Sequence, residues 1–164
     1  MQPVFDLFTA EDLFNEIKIT FYKYKKEHNK DMCKLLFMIM GLNHLREWIA
    51  PGFHARNNAK GTTDAEKFYV DIYDNTDEDT NTSNFKIINE LCNHSKHFNT
   101  LNKKTSCKYE TMDEWDDMDS IINFDRGSVS KCLVENKDGD MVDIIDIIER
   151  AILYYDANWF SKKH

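Results

Sequence analysis

Through most of this chain apolar residues return at steps of three and four, the spacing that lines one face of an α-helix rather than one face of a strand. With only 5 Gly and 2 Pro in 164 residues, little interrupts such helices, which argues against a sandwich or barrel of many short strands. Thr9 with Asp12 has the form of a capping box. It opens a first helix in which Leu13, Phe14, Ile17, Phe21 and Tyr24 share a face down to about Asn29, with Lys18, Lys23, Lys25 and Lys26 on the other side. Asp31 caps a second helix whose Leu35, Met38, Ile39, Leu42, Leu45, Trp48 and Ile49 form a broad apolar face, stopped by Pro51-Gly52. This is expected to be the most buried helix, with Trp48 in the core and Arg46 and Glu47 in water.

Thr63 and Glu66 repeat the capping box ahead of a short third helix carrying Phe68, Tyr69, Ile72 and Tyr73. Ser83 caps a fourth, with Phe85, Ile88, Leu91, Cys92 and Phe98, running to about Lys103. The pattern then changes. Residues 110 to 119 are acid-rich and read as a solvated loop, because runs of like charge repel and stay exposed. The alternating run from Val129 to Glu135 followed by Asn136-Lys137-Asp138-Gly139 predicts a β-hairpin, since Asp-Gly supplies the positive φ of a tight turn. Asp143 caps a last helix with Ile144, Ile148, Ile152, Tyr155 and Trp159 on one stripe and Ile147, Ala151 and Tyr154 beside it. The expectation is a mainly α single domain over residues 1–164: a bundle of about five helices with one hairpin inserted at about 121–142.

The formal charge is -8, from 21 basic and 29 acidic side chains, so the overall field repels phosphate backbones and anionic membranes. Any nucleic-acid role must use a local site. The four cysteines, Cys33, Cys92, Cys107 and Cys132, include no CxxC pair, and no export signal is recognisable, so free thiols and a cytoplasmic location are expected. The most apolar run, Leu35 to Leu42, is far shorter than the roughly 20 residues that span a bilayer, so no membrane segment is expected. Gly-rich phosphate loops, Gly-x-Ser-x-Gly elbows and His-Glu-x-x-His patterns do not occur in the sequence, and no cofactor is expected.

The densest group of chemically able side chains is Asn93-His94-Ser95-Lys96-His97, within the fourth helix. A spacing of four puts Asn93 and His97 on one face, and His94 and His97 are neighbours at a spacing of three. An imidazole near neutral pKa serves as general acid or base, and an ammonium beside it stabilises developing phosphate charge. Two histidines on adjacent turns are also half of a metal site, which would need carboxylates or His44 from another helix, but no metal is expected. The plain alternative is structural: an amide satisfying groups at a packed seam, and cations suited to a helix carboxyl end. Asn43-His44-Leu45-Arg46-Glu47-Trp48 is the second polar group, read either as the edge of a buried helix or as the opposite wall of the same cleft, with His44 and Arg46, together with His94 of the first group, as ligand-binding side chains.

The order of helices, with Asn93-x-x-Lys96-His97-Phe98 late in one of them, resembles the HEPN superfamily (higher eukaryotes and prokaryotes nucleotide-binding domains), and within it bacterial members that carry an Asn-x-x-Lys-His-Phe segment. The resemblance spans residues 9 to 160 in helix order and Leu91 to Phe98 in residues. Many members are metal-independent endoribonucleases of toxin and defence systems with an Arg-Asn-x-x-x-His motif. The resemblance therefore implies catalytic roles for Asn93 and His97, with Lys96 beside them. Where the motif has Arg this chain has Cys92, and a thiol cannot hold a phosphate through paired hydrogen bonds as a guanidinium does. Lys96 or Arg46 is left to supply that charge. The reading leans away from an enzyme, toward a degenerate RNA- or nucleotide-binding accessory or defence module, with the apolar faces of helices two and five suited to a homodimer. A different class of function is a non-catalytic protein-binding module that offers the acidic surface around Trp115 to a basic partner.

Overall fold

A computed structural model describes residues 7–27, 31–54, 60–76, 83–96, 109–114, 129–135 and 140–162. Within them the chain forms α1 (Ala10–Lys26), α2 (Met32–Ile49), α3 (Asp64–Asp74), α4 (Asn84–Lys96), β1 (Tyr109–Glu114), β2 (Val129–Glu135), β3 (Met141–Asp143) and α5 (Ile144–Tyr155). One π-helical turn, Asp156–Phe160, extends α5. The fold is mainly α, five helices with a small antiparallel sheet of order β1-β2-β3. No helix among the described residues is long and apolar enough to cross a membrane.

The helices begin where their local chemistry dictates. Thr9 and Thr63 each accept a hydrogen bond from the backbone N–H three residues on, and Asp12 and Glu66 reach back to the cap backbone, so both capping boxes are complete. Asp31 accepts from the Cys33 N–H, Ser83 from Lys86, and Asp143 from Ile145. These caps satisfy amide groups that a helix cannot pair internally.

Packing follows from the apolar stripes. Phe14, Ile17, Phe21 and Tyr24 of α1 meet Leu35, Met38, Leu42 and Leu45 of α2, Ile88 of α4, and Ile147, Ile148, Ile152 and Tyr155 of α5 in one core. Each such side chain contributes roughly 1.5–3 kcal/mol on burial. Gly41 marks the close approach of α1 to α2, because a Cβ there would sit 2.9 Å from Ile17 Cδ1. Tyr155 is fully buried and donates its hydroxyl to the Leu42 carbonyl at 2.9 Å, tying α5 to α2; burial raises its pKa far above the usual phenol range. Val134 of β2 is also fully buried in this core, which docks the sheet onto the bundle.

Three expectations differ: Arg46, expected in water, packs instead against the rings of Tyr69, Phe85 and Tyr73. Trp48 is 43% exposed, not a core residue, because α2 is apolar on more than one side and Leu42, Leu45 and Ile49 take the inner face. The acid-rich stretch is not wholly loop: Tyr109–Glu114 is a strand that pairs antiparallel with β2, from Tyr109 opposite Val134 to Glu114 opposite Val129. Backbone pairing with β2 overrides the poor strand propensity of its acids. The predicted hairpin is β2 with β3, Glu135 opposite Met141; its turn, residues 136–139, lies outside the described residues, as do the expected ends of helix one past Glu27 and of helix four past Lys96.

Candidate functional site

Helices α2 and α4 pack antiparallel, since Asn43 meets Asn89 while Arg46, further along α2, meets Phe85, further back along α4. Along this seam run three amides. Asn43, only 5% exposed, accepts through Oδ1 from Asn89 Nδ2 at 2.8 Å, and Asn89 in turn accepts through Oδ1 from Asn93 Nδ2 at 3.2 Å. The spacing of four from Asn89 to Asn93 stacks them on one side of α4. The ladder leads from the interior to the surface, where Asn93 is exposed. An amide has one acceptor oxygen and two N–H donors; one Asn93 N–H fixes the side chain's direction in the ladder, and among the described residues the ladder takes neither its oxygen nor its second N–H.

Cys92, one residue earlier, points the other way. It has no exposed surface and belongs to the core cluster. Its carbonyl accepts from Ser95 Oγ at 2.7 Å, which completes a local bond in the last turn of α4. The position where a nuclease of the resembling kind carries Arg thus faces the interior. His97 lies outside the described residues, and so do the side chains of His94 and Lys96.

Arg46 and His44 are not brought to Asn93 together. His44 Nδ1 lies 3.3 Å from Glu47 Oε2 on the outer side of α2. The Arg46 guanidinium carbon is 4.3 Å from the Tyr69 ring centre, 4.8 Å from Phe85 and 5.4 Å from Tyr73. Its buried Nε has no hydrogen-bond partner among the described residues, so the cation is held by ring faces. Phe85 precedes Asn93 by two turns of α4, roughly 12 Å along its axis, so Arg46 is far from the exposed amide. A cavity of about 250 Å³, lined by Asn75, Asn84, Phe85, Arg150 and Tyr154 among others, opens at that same distant end of α4. Burial and the nearby Asp71 raise the pKa of Tyr154.

Among the described residues no three His, Cys, Asp or Glu side chains cluster so as to hold a metal ion. The residue that sequence reasoning missed is Asn89, the middle rung. Its signal was its spacing: an amide four residues before Asn93 shares that residue's side of α4, next to the apolar positions Phe85, Ile88 and Cys92 that face the core. No protein-family model, curated protein or solved structure matches the chain.

Proposed function

We propose that the chain is a HEPN-like, cytoplasmic helical module of the bacterial accessory or defence kind that binds RNA or a nucleotide at the carboxyl end of α4 without cutting it. One observation carries this reading: Asn93 is presented at the surface on an amide ladder, while Cys92, its neighbour in the motif, is wholly buried. Metal-independent cleavage of RNA needs a group that moves a proton and a cation that steadies the phosphate. The motif's guanidinium is replaced by the buried Cys92 thiol, so the paired hold on a phosphate is missing whatever His97 and Lys96 contribute, and an amide itself moves no proton. It does pair with the edges of unstacked bases and with phosphate or ribose oxygens, which is how single-stranded RNA is read.

With a net charge of -8 the molecule does not gather RNA over its surface, so binding rests on this local site. The test is a chelator-containing assay with an end-labelled single-stranded RNA, followed on a gel. The expected outcome is intact RNA at every protein concentration. Cleavage that disappears in His97→Ala would make the chain an active nuclease and overturn the reading.

A second reading draws on a different observation. Glu110, Asp113 and Glu114 lie on β1, an outer strand of the sheet, directly before Trp115. An acidic strand edge followed by an aromatic suits a basic protein partner. Pulldown from host lysate at low and high salt tests it, because a contact of this kind weakens as screening rises. Capture that is lost at high salt and in Trp115→Ala supports it; capture indifferent to both counts against it.

A further inference from the structure

We propose that the Arg46 guanidinium is a receptor for a small aromatic carboxylate, which it holds end-on where α2, α3 and α4 meet. Arg46 is half-buried, and its Nε is sealed from solvent without a hydrogen-bond partner. Three rings fix where the group sits, with the guanidinium carbon 4.3 Å from the centre of Tyr69, 4.8 Å from Phe85 and 5.4 Å from Tyr73. Among the described residues no carboxylate pairs with this cation and no oxygen accepts from it. The chain has 29 acidic side chains, yet even the adjacent one, Glu47, is turned to His44 at 3.3 Å. A cation drawn partly out of water normally has a carboxylate partner, because ring faces replace only part of its hydration. An anion from outside the chain completes this one.

Geometry, charge and shape each narrow the ligand. With Nε closed off, the two Nη groups are the open edge, and they can give parallel N–H bonds to the two oxygens of one carboxylate. Charge selects a monoanion. The second cation at Tyr73 is Lys86, whose Nζ is 5.1 Å from the ring centre, and it already lies 3.8 Å from Asp74, so one positive charge is left over. A phosphate monoester carries close to two negative charges and would stay half compensated here. Shape selects a flat apolar body. Tyr73 is 36% exposed, and half-buried Phe53 stands edge-on to Tyr69 with ring centres 5.3 Å apart, so aromatic surface lies next to the cation and a ligand ring can pack on it. The site is separate from Asn93, two turns further along α4, and does not depend on RNA binding.

Titration of the isotope-labelled full chain with benzoate, followed by nuclear magnetic resonance, tests the proposal. Saturable binding with a Kd of about 1 mM is expected for so small a ligand, with the shifts centred on Arg46, Tyr69, Tyr73 and Phe85. Benzamide keeps the shape and drops the charge, and it should bind about tenfold or more weakly, as should inorganic phosphate. Arg46→Lys keeps the charge but loses the paired donors, so benzoate should bind it about tenfold or more weakly with the helical circular dichroism unchanged. Tyr73→Ala leaves the guanidinium in place and removes one ring, so benzoate should weaken by about threefold to tenfold while its advantage over benzamide persists. Shifts that fail to saturate by about 20 mM, equal binding of benzamide, or benzoate binding unchanged in a folded Arg46→Lys protein would overturn the proposal. If Arg46→Lys does not fold, benzoate binding unchanged in Tyr73→Ala overturns it instead. Phosphate bound more tightly than benzoate would overturn the assignment to a carboxylate.

Discussion

At the scale of single residues, the account turns on Cys92 and Asn93, neighbours that face in opposite directions on α4. The buried Cys92 side chain sits among apolar groups, so Cys92→Arg forces a guanidinium into the core with no partner. It should cost about 4 kcal/mol or more and leave the chain largely unfolded by circular dichroism, whereas Cys92→Ala should cost about 1–2 kcal/mol and keep the fold. A folded Cys92→Arg protein would mean that this side chain has a route to water. The sequence made Cys92 visible twice, as a departure from a motif and as part of the apolar stripe it shares with Phe85 and Ile88, and the second is where the core takes it. Asn93 was legible as a candidate from its neighbours; its supporting amides were not, since Asn43 and Asn89 lie 46 positions apart in the chain and meet only through the packing of two helices.

At the scale of elements, the starts of the helices were the most legible feature because a cap is a bond between near neighbours. Thr63 and Glu66 show the consequence. The Glu66 carboxylate accepts from the Thr62 hydroxyl and from the Thr62 and Thr63 backbone, and these bonds lower its pKa from 4.5 to about 2. With the folded value below the unfolded one, its contribution to stability is fully present above about pH 4.5 and is lost as pH falls through about 2. Denaturant melts across that window should show a shallower acid loss for Glu66→Gln than for wild type. Identical slopes would show that the carboxylate does not hold the amino end of α3. What local spacing could not decide was which side of α2 faces inward, since Trp48 and Leu45 are equally apolar and the choice belongs to the partners across the seam. Nor could it show β1, whose acids carry no alternation; its place comes from pairing with β2.

At the scale of the whole molecule, five helices close around Tyr155 and Leu42, and the sheet docks through Val134. This leaves two unusual surfaces, the apolar outside of α2 and the amide at the end of α4. The second is the surface on which the proposed binding rests. Net charge limits the second: with -8 overall, a productive contact with RNA must come from fixed hydrogen-bonding groups more than from a basic field. The most direct measurement is a fluorescence-anisotropy titration of labelled single-stranded RNA in chelator, comparing wild type with Asn93→Ala. The account predicts saturable binding by wild type that weakens about tenfold or more in Asn93→Ala, the loss of one or two hydrogen bonds to the ligand. Binding that is absent in wild type, or equal in both proteins, would contradict it.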